Sequence, residues 1–146
     1  MTNIFLLEYE TRLKAWSELR SKLQNQPLEK IIIEVDKFWQ KTPIQTYYLH
    51  TDLINEWPNP WQLISDNIYC IYSRALGMMY TLMLLGIQDI DFVEGLDHNN
   101  NEVVLVLVDS AKYVMNYWPD TVLNNSLQDF VVKKKIDITP LKSKLG

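Results

Sequence analysis

The sequence predicts an α+β domain, helices first and a small antiparallel sheet after them. Three observations carry this. Apolar residues recur at helical spacing through the N-terminal part of the chain. A long apolar run led by Cys70 closes on Leu85-Gly86-Ile87. The run Val103-Val104-Leu105-Val106-Leu107-Val108 then precedes a polar turn, as a buried strand does before a hairpin.

Residues 4–25 read as the first helix. Leu6, Leu7, Leu13, Trp16, Leu19 and Leu23 fall near one stripe, with Glu10, Arg12, Lys14 and Glu18 on the wet side. Residues 28–40 fit two patterns. Leu28, Ile31, Ile32, Val35, Phe38 and Trp39 make an amphipathic helix, whereas Ile31-Ile32-Ile33 alone suits a strand. The length of the match favours the helix, which Lys41-Thr42-Pro43 ends. Residues 43–60 form a proline-rich, aromatic stretch. Within it Trp57-Pro58-Asn59-Pro60-Trp61 is rigid and extended, because a residue before proline avoids the helical region. A short helix over 61–65 and a turn at Asp66-Asn67 follow. The long central helix runs over 68–85, stopped by Gly86. Strands are expected at 90–94, 103–108, 113–117 and 130–136, with a polar loop over 95–101 and a hairpin turn at Asp109-Ser110-Ala111-Lys112.

With 146 residues, 47% of them hydrophobic and 22% charged, the chain reads as one globular domain over 1–146. A net charge of −4 argues against an electrostatic nucleic-acid binder. The lone basic run, Lys133-Lys134-Lys135, reads as the outer side of a strand. A single cysteine excludes an intrachain disulfide and a cysteine-based zinc site, and two scattered histidines do not replace it. Neither a metal nor a cofactor is expected, since Gly77, Gly86 and Gly95 are too far apart for a nucleotide fingerprint. No apolar stretch reaches the roughly 20 residues of a membrane span. Ile4-Phe5-Leu6-Leu7 is too short for a signal peptide.

Cys70 heading a helix, the Leu85-Gly86-Ile87 stop, Val93 and Gly95, then two strands joined by a tight turn resemble the transglutaminase-like and papain-like cysteine fold over residues 70–118. That resemblance implies a thiol nucleophile at Cys70, a histidine base at the start of the hairpin, and an Asp or Asn orienting it from the next strand. The base position reads Asn101-Glu102-Val103-Val104, without a histidine. His98 lies a few residues early, and Asn116 stands where the orienting residue belongs. A thiol with no proton acceptor in reach is not activated.

Most of the chain also resembles a family of small uncharacterised proteins of T-even-like tailed phages, including those of cyanobacteria. The segments carrying this are Val35-Asp36-Lys37-Phe38-Trp39, Trp57-Pro58-Asn59-Pro60-Trp61, Asn67-Ile68-Tyr69-Cys70 and Tyr113-Val114-Met115-Asn116-Tyr117-Trp118-Pro119. It implies a setting in the cytoplasm of an infected bacterium, or in the virion.

The candidate catalytic residues are therefore Cys70, His98 and Asn116. Asp97 is a second possible orienter, Gln62 a possible oxyanion donor and His50 a remote alternative base. Against this stands the plain reading of Cys70 as a buried small hydrophobe. Trp57, Trp61, Tyr69 and Trp118 are candidates for a peptide-docking surface, or for a rigid lid packed on the sheet. The loop over 97–102 resembles a calcium loop only in composition. The functional expectation is a non-catalytic phage accessory protein on a degenerate cysteine-hydrolase scaffold, acting on a host or phage protein, with no nucleic-acid or membrane partner. The sequence leaves the oligomeric state open. The alternatives are a thiol hydrolase or acyltransferase using Cys70 and His98, and a virion structural subunit.

Overall fold

A computed structural model describes residues 3–45, 49–118, 121–124 and 130–145. The predicted α+β layout is present. Helices α1 (Tyr9–Leu23), α2 (Leu28–Trp39), α3 (Pro60–Asp66) and α4 (Ile71–Leu84) come first. Strands β1 (Ile90–Asp97), β2 (Glu102–Val108), β3 (Tyr113–Trp118), β4 (Thr121–Asn124) and β5 (Phe130–Ile136) follow, then a short α5 (Thr139–Lys142). The sheet is antiparallel, in the order β4-β3-β2-β1-β5.

The first helix is shorter than its apolar stripe suggests. Ile4–Leu6 is a separate 3-10 turn, capped by the Asn3 side chain accepting the Phe5 N–H, and Leu7 and Glu8 are extended. The break turns Phe5 inward, against Phe38, Trp39 and Tyr69, and leaves Leu6 71% exposed. Arg12 reinforces the break by donating to the Leu7 carbonyl, while its other nitrogens donate to Ile64 O (3.0 Å) and Ser65 O (3.2 Å). A buried guanidinium thus satisfies carbonyls at the end of α3 that the helix itself leaves open.

Residues 28–39 are helical. Ile31, Ile32, Val35 and Trp39 all face the core. A strand would have sent Ile31 and Ile32 to opposite faces, whereas the helix buries both. The start of α3 is specified locally. Asn59 caps it, Pro60 occupies its first turn, and Gln62 returns the cap by accepting the Asn59 N–H at 2.8 Å.

α4 begins at Ile71, not at residue 68. Tyr69 is held out of the helix by a parallel bridge to Ile44, with Gln45 N–H donating to Tyr69 O at 2.8 Å, and Cys70 becomes the N-cap. At its other end Ile87 N–H reaches Leu82 O and Gly86 N–H reaches Met83 O, with Gly86 at φ 87°. This is a Schellman stop, which glycine enters without Cβ strain.

Inside, α4 packs on α2 through one cluster. Gly77 presents bare backbone to the Trp39 ring, so that an added Cβ would meet three ring atoms at 2.5–2.7 Å. One turn on, Thr81 Oγ1 accepts both the Trp16 and the Trp39 indole N–H, at 2.9 and 3.0 Å, and donates to Gly77 O at 2.7 Å. All three side chains are fully buried.

In β2, Val104 to Val108 are buried on both faces. Val104, Val106 and Val108 join the core under the helices, and Leu105 and Leu107 join a second cluster with Val93, Val114, Tyr117 and Phe130. β1 is longer than expected. Gly95 and Leu96 belong to the strand because they pair with both β2 and β5, and Asp97 because it pairs with Phe130 of β5. The Glu94/Gly95 step carries a bulge against β5, where Gly95 lies against the Val131 carbonyl with no room for a side chain. β5 is an edge strand with Lys133, Lys134 and Lys135 exposed, as predicted; Lys135 pairs with Asp91 at 2.9 Å. β4 and α5 have no counterpart in the sequence reading.

Candidate functional site

Cys70 sits where the α4 backbone first turns helical. Its N–H donates to Ser73 Oγ at 2.7 Å, and the Ser73 hydroxyl faces Cys70 O at 3.3 Å and Cys70 Sγ at 3.5 Å. The pair forms a capping box. Cys70 and Ser73 are each only 1% exposed. The Cys70 side chain is packed into the main core.

Asn116 is brought to the same place. It stands on β3 in the left-handed region (φ 65°), which asparagine enters more readily than most residues. Its backbone N–H donates to Asp36 Oδ1 at 2.8 Å. Its amide Nδ2 donates to Val104 O at 2.9 Å and to Ile71 O at 3.2 Å. The side chain therefore staples the start of α4 to the start of β2. Asn116 thus lies beside the head of α4, and its amide is committed to main-chain carbonyls. Asn116→Gly keeps the backbone conformation and deletes the staple. It should cost about 1–2 kcal/mol in urea unfolding.

Behind Asn116 lies a buried polar layer that the sequence reading missed. Asp36, 1% exposed on α2, holds the Asn116 backbone. Arg74, one turn into α4, donates to Thr42 Oγ1 (3.1 Å), Thr42 O (3.1 Å) and Gln40 Oε1 (3.0 Å). Burial lowers the Arg74 pKa, and the charge of Asp36 works in the opposite direction. The available signal was an acid among Ile32, Val35 and Trp39 on the apolar face of α2. A carboxylate placed there needs a partner.

The base position on β2 is filled by Glu102, Val103 and Val104, the last buried. His98 is in the exposed turn that closes β1 onto β2. Asp97 belongs to that turn. Its carboxylate accepts the backbone N–H of Asn99 (2.8 Å) and Asn101 (2.9 Å). The Asn101 backbone bond is the main cause that holds its carboxyl below the usual range. This turn-closing role replaces the one considered for Asp97 as an orienter. Gln62 likewise serves the α3 cap in place of an oxyanion. Among the described residues no group of three His, Cys, Asp or Glu side chains could hold a metal ion.

His50 lies nearer the helix start than its sequence position suggests. A pocket of about 320 Å³ is lined by Leu49, His50, Thr51, Asp52, Tyr72 and Glu102. Tyr72 is two residues beyond Cys70. Its pKa is raised well above the ordinary value, first by burial and then by Glu94, whose carboxylate takes its hydroxyl hydrogen bond; Glu102 and Cys70 add to this. The His50 carbonyl accepts the Trp57 indole N–H at 2.9 Å.

The aromatic set is structural where it is described. Trp57 is 2% exposed and packs on Tyr72 and Phe92. Tyr69 is fully buried against Phe5 and Trp39, with its hydroxyl on Leu63 O at 3.0 Å. Neither belongs to a docking surface, because each finds its apolar contacts and its polar partner inside. Trp61 is half-buried on Trp16. The Trp118 side chain lies outside the described residues.

The sequence matches no protein-family model and no curated protein. Solved structures do match. Calcium-bound LapG of Legionella pneumophila superposes with a TM-score of 0.74 at 15% identity, covering 90% of this chain and 77% of LapG. EGTA-treated LapG gives 0.74 at 15% identity, over 89% of this chain and 74% of LapG. The fold is transglutaminase-like. At this identity the likeness is one of fold, and one scaffold hosts unrelated functions. It agrees with the resemblance drawn from Cys70, Leu85-Gly86-Ile87 and the hairpin, and it extends the match to most of the chain.

Proposed function

We propose that this chain is a non-catalytic protein-interaction protein on a degenerate cysteine-hydrolase-like scaffold, working in the phage setting that its sequence resemblance implies. One observation carries the reading. The Asn116 amide spans from Val104 O to Ile71 O, across the ground between β2 and the head of α4 where a base would have to stand. The strand there offers valines and no imidazole. The 1% exposure of Cys70 supports the same conclusion.

The test is iodoacetamide labelling of Cys70 across pH. The native protein should label slowly at every pH near neutrality and rapidly once denaturant is added. Fast native labelling with a midpoint well below about 8.5, the value of a free thiol, would instead favour a thiol hydrolase or acyltransferase. A specific observation keeps that second reading in view: His50, Tyr72 and Glu102 share one pocket at the head of α4. His50→Ala and His98→Ala would then tell which imidazole sets the midpoint.

A further inference from the structure

A second pocket, of about 370 Å³, opens on the α3 side of the same helix start. Its volume is within the roughly 300–1,000 Å³ range of ligand sites. Leu49, Pro58, Leu63 and Ile68 give it an apolar lining, and Gln45, Asp66 and Ser73 a polar one; of the polar three Ser73 is buried and Asp66 exposed. Leu49 and Leu63 are buried, whereas Ile68 is 46% exposed, so the apolar lining runs from the core out to solvent.

Asp66 is the charged residue of this lining, and it is exposed. No ion pair is formed with it among the described residues. Arg12, which acts with Asp66 on Tyr69, has its guanidinium turned to the carbonyls of Leu7, Ile64 and Ser65. Nor does Asp66 serve its own helix, because a negative charge in a last turn opposes the helix dipole. The Ser73 oxygen is already engaged by Cys70. The pocket thus combines an apolar lining with an exposed carboxylate that forms no ion pair among the described residues.

We infer that this pocket binds a lysine side chain presented by a partner protein, its methylene stem along Leu63, Pro58 and Ile68 and its ammonium on Asp66. Long basic side chains bury their stems on apolar surface while keeping the charged head wet, and the charge complementarity is direct. A purely apolar occupant would use the apolar lining but gain nothing from Asp66, which stays hydrated. The inference rests on the interaction-protein reading and names the chemistry its partner would offer.

The experiment is an NMR titration of the ¹⁵N-labelled chain with Nα-acetyl-lysine-N-methylamide, with the norleucine analogue as control. The expected result is perturbation of the Leu63, Ile68 and Ser73 amides. At low salt the lysine probe should be favoured over norleucine by roughly two- to fivefold, the reach of a partly exposed ion pair. Asp66→Asn should erase that preference while norleucine still binds, and Ile68→Ser should weaken both probes. Equal binding of the two probes, a preference that survives Asp66→Asn, or no perturbation at these amides would each overturn the inference. Asp66→Asn leaves Cys70 and Asn116 intact. A failed titration with an inert thiol would therefore reject the pocket alone, and a reactive thiol would reject the non-catalytic reading whatever the titration gives.

Discussion

Thr81→Val should lower the stability of the domain by roughly 2–6 kcal/mol, although the two side chains are nearly the same shape. Thr81 Oγ1 is the acceptor for two buried indole donors, Trp16 and Trp39. Valine removes that acceptor and offers nothing in its place. Each stranded donor costs about 1–3 kcal/mol, because water does not reach it. The total is a large part of the roughly 5–15 kcal/mol that holds a typical domain folded. Thr81→Ser keeps the oxygen and loses only a methyl group, about 1 kcal/mol. Urea unfolding of the two variants separates the causes. A large fall in midpoint at unchanged slope for Val, with a small one for Ser, is the expected pattern. Similar losses for both would mean that packing, not acceptance, is what Thr81 supplies.

The second large effect is at Gly77. Alanine is the better helix former by about 1 kcal/mol, so Gly77→Ala would stabilise an isolated helix. Here it should destabilise by roughly 3 kcal/mol or more. The new Cβ would fall 2.5–2.7 Å from Trp39 Cε3, Cζ3 and Cδ2, and overpacking a tight interior is costly. The indole cannot retreat freely, because its Nε1–H is tied to Thr81 at 3.0 Å. Trp39→Phe shrinks the ring and releases that tie. The double variant Gly77→Ala with Trp39→Phe should therefore lose less than the sum of the two single losses. Strict additivity would argue against the contact.

The parts of the fold that local chemistry specifies were legible. The Gly86 stop and the two-sided apolar run of β2 carry their instructions within a few residues and came out where they were expected; the Asn59-Pro60 cap is equally local, but it starts α3 at Pro60, inside the segment read as extended. Boundaries failed where distant residues decide them. Nothing near residue 68 says that Ile44 will pair with Tyr69 and delay α4 to Ile71. Nothing near Leu7 announces that Arg12 will reach back to it and onward to the end of α3. At the site, the sequence named Cys70 and Asn116, and the structure brings Asn116 to the residue after Cys70 through its bond to Ile71 O. The Asp36–Asn116 bond was not legible, because it joins residues 80 apart in the chain. His50 could be named only as a remote alternative base, since no spacing rule places it in the pocket that it lines with Tyr72.

The strand order has a consequence for how the chain is made. β1 pairs on one side with β2, its neighbour in sequence, and on the other with β5, whose Ile136 meets Phe92. During synthesis the helices and the β1–β2 hairpin can gather early, but one side of β1 stays unpaired until residues 130–136 have left the ribosome. Closing so long a loop is an entropic cost, which slows the pairing of β5 with β1. In that interval the open margin of β1 can pair with other nascent chains. The lysines of β5 lie along that margin of the sheet, so protection from aggregation arrives only once β5 has been made.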